Sequence, residues 1–256
     1  GLFGQVGLAR TLLTVGLVPV GIVGAHRLLA PSGSKRAQVA AAVAYAAVPL
    51  PYDALATGRW SALAAYAGAP WMLGRLARAS GVTPFAPTTG PLDAPIAPAG
   101  VADELVVRHR LWKHVVATGA VTAATGLLVP QAPLLLVLLG IALVLGTLLA
   151  GEVRGTLRVL VAAGGGAAVA AVLLLPTTLD VVTTPGGVDA WLGADRDAAG
   201  LSVADILAFH TGPAELAAAG VALLGAAAVP LLVGRRWRLG WAARGWAVAV
   251  VGWGVV

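Results

Sequence analysis

The sequence predicts an all-α fold, a polytopic transmembrane bundle of about eight membrane helices with short interfacial helices between them, and three observations carry that prediction. Charge-poor apolar stretches occupy residues 11–25, 37–50, 61–74, 115–129, 134–151, 159–179, 216–234 and 241–256, and a bilayer asks for about 20 apolar residues per helical crossing. Only the last stretch holds a charge, Arg244. Hydrophobic residues make up 59% of the chain and charged residues 11%, with a mean hydropathy of +0.89, whereas soluble domains are about a quarter charged. Lipid is therefore the solvent for most of these helices.

The elements follow in order. The first stretch, 11–25, is followed by a connection holding Arg27, Lys35 and Arg36. The next two, 37–50 and 61–74, are short for a crossing; each borrows flanking residues, or the pair forms a re-entrant hairpin around Pro49, Leu50 and Pro51. Charge alternation favours two crossings. Either way Tyr52 to Trp60 is expected in a non-helical turn, because Pro51 disfavours helix at Leu50 and lacks a backbone donor. Residues 83–100 are rich in Pro, Thr and Gly and read as an extended linker. Asp103 and Glu104 then open an amphipathic segment with Leu105, Arg108, Leu111 and Trp112 at helical spacing, an interfacial helix leading into the stretch at 115–129. Gly164, Gly165 and Gly166 sit inside an apolar stretch with no lysine after them, which points to close helix packing or a hinge and away from a phosphate loop. In the connection 180–215, Thr183 to Gly187 is a turn. Short helices around Trp191 and from Ser202 to His210 follow, with Ser202 as N-cap and Asp205 three residues on.

All of 1–256 reads as a single transmembrane domain and as a window of a longer protein. Within it, 77–114 is a cytoplasmic Pro-rich linker with its amphipathic helix, and 180–215 is an extracytoplasmic loop with short helices. Loop charge sets the orientation. With the residues before Thr11 outside, the cytoplasmic connections hold Arg27, Lys35, Arg36, Arg75, Arg78, Arg108, Arg110, Lys113, Arg154, Arg158, Arg235, Arg236, Arg238 and Arg244. Only Arg10, Arg59 and Arg196 fall on the other side, as the positive-inside bias requires. The expected location is the plasma membrane, with residues before Thr11 and 180–215 extracytoplasmic.

Several chemistries are set aside. The chain has no cysteine, hence no disulfide, thiolate nucleophile or thiolate metal site. The four histidines give no HExxH spacing, and His109 and His114 stand among arginines, so no metal ligand set is assigned. The first seven apolar stretches carry no charge, which counts against an ion-coupled carrier. Breaks at Pro19, Pro70, Pro130 and Pro230 leave a lipid-handling route open. No feature points to nucleic acid.

The strongest cluster lies between the second and third stretches. Asp53 and Arg59 stand six residues apart, framed by Tyr52 and Trp60. Together they offer a carboxylate for proton abstraction or hydroxyl binding, a cation for phosphate, and aromatic faces for sugar rings. An interfacial aromatic belt with a solvated ion pair has the same pattern.

Leu17-Val18-Pro19-Val20-Gly21, His26-Arg27-Leu28, the run from Ala44 to Trp60, the run from Gly200 to Pro213, and Trp241-Ala242-Ala243-Arg244-Gly245-Trp246 resemble the membrane region of large actinobacterial glycosyltransferases of the GT-C kind. The low isoleucine, the absence of asparagine and the fifteen arginines against two lysines fit GC-rich coding. The resemblance implies transfer of a sugar from a polyprenyl-phosphate donor to a cell-envelope glycan or protein on the outer face, with membrane lipid, polyprenyl-phosphate sugar and the envelope acceptor as partners. It implies catalytic roles for Asp53 and Asp180, and substrate contacts for Tyr52, Arg59, Trp60, Asp205 and His210. A divalent cation is the one cofactor it brings into question. Enzymes of this kind usually place their catalytic carboxylate in the first outer loop, which here would precede Gly1. A flippase or permease for lipid-linked glycans and a non-catalytic envelope scaffold are the alternatives.

Overall fold

The computed structural model describes residues 2–82, 84–85, 101–153, 155–187, 225–232, 234 and 237–253. Among them the fold is all helical: α1 (Leu2–Leu28), a 3-10 turn (Ala30–Ser32), α2 (Lys35–Ala46), α3 (Leu50–Ala56), α4 (Trp60–Ser80), α5 (Val101–Gly126), α6 (Ala132–Leu149), α7 (Thr156–Leu173), α8 (Leu175–Thr183) and α9 (Trp237–Trp253). A further helical stretch covers 225–232. Four segments are long and apolar enough to cross a membrane: Thr14–Ser32, Lys35–Ala56, Ala132–Leu149 and Thr156–Leu173. Their outward faces carry bare aliphatic side chains, among them Val23, Val43, Leu148, Leu160 and Val172. So much apolar surface is stable in hydrocarbon and not in water. The chain is a membrane protein.

Small residues hold the bundle together, as expected where lipid removes the hydrophobic drive between helices and close packing must replace it. A Cβ built on Gly119 of α5 would fall 2.5 Å from Val169 of α7, and one on Gly140 of α6 would fall 2.5 Å from Ala163 of α7. Gly165 and Gly166 meet Val115 and Thr118 of α5, while Gly164 faces open space and α7 runs through all three. The glycine run is therefore a packing seam and not a hinge. The central core gathers Met72 and Leu76 of α4, Leu136, Leu139 and Leu143 of α6, and Val159, Ala162 and Ala163 of α7.

These contacts also set helix directions. Gly21, Gly24 and Leu28 of α1 meet Tyr66, Trp71 and Gly74 of α4, so the two run parallel. Gly68 of α4 meets Thr125 of α5, Leu136 of α6 meets Gly166 of α7, and Gly240 of α9 meets Ala150 of α6, and these three pairs are antiparallel. One end of the bundle thus collects Arg27, Arg75, Arg78, Arg158 and Arg238. The opposite end holds α3, Arg59 and Asp180.

Four expectations are corrected. Tyr52 to Trp60 is not a non-helical turn, because α3 occupies Leu50–Ala56 and only Thr57, Gly58 and Arg59 make the turn. Pro51 lies in the first turn of α3, where a missing N–H breaks no intrahelical bond. Residues 101–126 form one continuous helix instead of an interfacial helix followed by a separate crossing. The stretch 159–179 is divided at Leu174, and Pro176 opens the short helix α8. Pro19 and Pro70 lie inside unbroken helices. Of the linker, residues 83 and 86–100 lie outside the described residues, as do the two helices placed around Trp191 and between Ser202 and His210.

Candidate functional site

The end of the bundle opposite the arginines is built on α3. Beneath it, Tyr45 of α2 and Tyr66 of α4 stack with ring centres 4.4 Å apart. Each hydroxyl donates to the other residue's backbone carbonyl, at 2.7 and 2.9 Å, and Gly21 lets α1 close against both rings. On that platform Pro49 begins α3, and the Tyr52 hydroxyl donates back to the Ala46 carbonyl at 2.8 Å, tying α3 to the end of α2. Asp53 is buried, 5% exposed, on the inner face of α3. Its backbone carbonyl accepts from the Thr57 hydroxyl and the Thr57 amide. The Arg59 amide donates to the Ala54 carbonyl at 2.8 Å, which folds the chain back over α3. Exposed Arg59 and half-buried Trp60 then open α4. Tyr52, Asp53, Arg59 and Trp60 thus share one corner formed by α3, its turn and the start of α4, with Asp53 buried and Tyr52 and Arg59 exposed.

No family model, curated protein or solved structure matches this chain. Side-chain chemistry alone therefore defines the site.

Asp180 lies at the same end but on α8, which packs against α7, while α3 packs against α4. It is exposed and accepts from the Thr184 hydroxyl at 3.3 Å. The two carboxylates assigned to catalysis therefore sit on separate helix pairs. Asp205 and His210 lie outside the described residues. Among the described residues no three of His, Asp and Glu approach closely enough to hold a metal ion.

The other end carries a cluster that sequence reasoning passed over. Arg244 of α9 is 2% exposed. Its Nη2 donates to Glu152 Oε2 at 2.5 Å and its Nε to the Thr147 hydroxyl at 3.0 Å, and its guanidinium lies over the Trp241 ring at 4.7 Å. The Thr147 hydroxyl in turn donates to the Leu143 carbonyl at 2.6 Å. One signal was legible: Arg244 is the single charge in an apolar stretch, and such a charge needs a partner. That the partner is Glu152, 92 residues earlier, was not.

At the same end, α4 presents Arg75 and Arg78 to His114 of α5. Burial, then Arg75 and Arg78, hold the His114 pKa below its usual value. The folded protein therefore binds fewer protons at His114 than the unfolded chain does as pH falls through about 6.5. Stability is full above that pH and declines below it. Thermal unfolding of the detergent-solubilised protein should show that acid-side loss, and His114→Gln should flatten it between pH 5 and about 6.5.

Proposed function

We propose that this chain is the membrane module of a glycosyltransferase that crosses the bilayer about eight times, moving a sugar from a polyprenyl-phosphate donor to a cell-envelope acceptor at the face bearing α3. Arg27, Arg75, Arg78 and Arg158 lie on the cytoplasmic side in this reading, and the residues before Thr11 with 180–215 on the outside. The observation that carries it is the buried Asp53 on α3, a short helix whose neighbouring turn presents an exposed Arg59. Asp53 takes the proton of the acceptor hydroxyl as its oxygen forms the new bond to the anomeric carbon. The anomeric carbon–phosphate oxygen bond breaks, and Arg59 holds the departing polyprenyl phosphate. In this reading Tyr52 and Trp60 stack on the sugar, and Asp180, Asp205 and His210 are the further candidates for contact with substrate.

A carrier for lipid-linked glycans is the second reading. The break between α2 and α3 within Lys35–Ala56 favours it, since interrupted helices commonly border transport routes. One experiment separates the two. In proteoliposomes holding polyprenyl-phosphate sugar and acceptor, Asp53→Asn and Arg59→Ala should each slow formation of the glycosidic bond about a hundredfold at unchanged membrane abundance. Wild-type rates in both variants would refute the site. Lipid translocation with no new glycosidic bond would favour the carrier.

A further inference from the structure

At the arginine-rich end, α1, α4, α6 and α9 surround a slot of about 220 Å³. Leu28, Leu73, Phe85, Leu143, Trp241 and Val248 line it, so its walls are almost wholly apolar. The Phe85 and Trp241 rings meet along one wall, their centres 4.8 Å apart. A polar basin of about 700 Å³, lined by Ser80, Gly81, Glu152, Gly155 and Arg158, lies next to it. Glu152 lines the basin and Arg244 the slot, and their ion pair joins the two linings. Arg244 is almost fully buried, yet its Nη1 has no acceptor among the described residues. That guanidinium keeps donor capacity which nothing described here uses.

The pairing of an apolar slot with a polar, cation-bearing basin has the outline of an amphiphile. Charge selects which one. Arg27, Arg75, Arg78, Arg158, Arg238 and Arg244 lie at this end, and Glu152 is the one acidic side chain described there. A cation surplus at a membrane surface attracts anionic headgroups and gains little from zwitterionic ones. We propose that slot and basin together hold one anionic phospholipid of the adjoining leaflet, an acyl chain in the slot and the phosphate at its rim by Arg244 and Arg158. This site is independent of the α3 corner and stands or falls without it.

Gly245 supplies a clean test, since it lines the slot and a Cβ built on it meets nothing within 4 Å. Gly245→Phe places a ring at the slot wall from a position whose Cβ has open space. The purified chain in mild detergent would be incubated with phosphatidylglycerol or with phosphatidylcholine of the same acyl composition, and the retained lipid counted by native mass spectrometry. Phosphatidylglycerol should be retained about fivefold more than phosphatidylcholine. Gly245→Phe should cut retention of phosphatidylglycerol about tenfold at an unchanged unfolding temperature, and Arg158→Gln should remove the headgroup preference while leaving phosphatidylcholine where it was. Equal retention of the two lipids, or wild-type retention in Gly245→Phe, overturns the proposal. Displacement of phosphatidylglycerol by equimolar polyprenyl phosphate would assign the slot to an isoprenoid and overturn it as well.

Discussion

Glu152→Ala should destabilise the bundle by about 3 kcal/mol, read as a lower midpoint of thermal unfolding followed by tryptophan fluorescence in detergent. The substitution leaves the Arg244 guanidinium, 2% exposed, without its anion while Thr147 and Trp241 still hold it in place. An uncompensated buried cation is among the most costly defects a single substitution can create. Glu152 itself is 42% exposed on its side chain. Water therefore reaches the vacated space and keeps the loss at the low end for a broken buried pair. Adding Arg244→Met should recover most of the lost stability, since it removes the stranded charge and leaves a side chain of similar length against Trp241. Equal unfolding midpoints for Glu152→Ala and the unaltered chain would show that the pair contributes nothing.

Gly146→Ala should cost about 2 kcal/mol, while Gly164→Ala should be neutral or stabilise by up to about 1 kcal/mol. Both glycines lie within apolar helices, and alanine is the better helix former at each. At Gly146 of α6 the new Cβ falls 2.5 Å from the Arg244 Cα and 3.1 Å from the Ala247 Cβ. Backbone cannot rotate aside as a side chain can, so α9 must move away. Overpacking of that kind outweighs the gain in helix propensity. At Gly164 of α7 the new Cβ meets nothing within 4 Å. Because the shift of α9 also carries Arg244 from Glu152, Gly146→Ala should cost less in the Glu152→Ala background than alone. Equal unfolding midpoints for the Gly146 and Gly164 variants would remove the close α6–α9 approach as a stabilising contact.

Helix ends follow local chemistry that the sequence reading did not use. Ser34 accepts from the Ala37 amide and begins α2 as an N-cap should, and Gly81 ends α4 at φ 64°, in the left-handed region. The short stretch 61–74 does borrow its flanks, becoming a 21-residue helix. At α3 the expectation failed because a proline was read out of register. Pro51 bars helix before it in most settings but is harmless in a first turn, and which applies depends on whether Pro49 starts the helix. The α3 corner was legible as a cluster because its residues adjoin in sequence. That Asp53 would be buried while Arg59 and Tyr52 stay exposed was not, since the fold of α3 onto α4 decides it.

Hydropathy is a local sum, and here it is large enough that the sequence by itself determined the solvent and the helical class. In hydrocarbon every backbone polar group must be paired within its own segment, so a long apolar stretch has almost no structure open to it but a helix. Partnerships are not local sums. The Arg244–Glu152 pair, the reciprocal tyrosines on α2 and α4, and the choice of Gly146 over Gly164 as a contact depend on which helix lies alongside and at what height. Only the tertiary structure decided them, because close approach and ion pairing act over a few ångströms in space, whatever the separation along the chain.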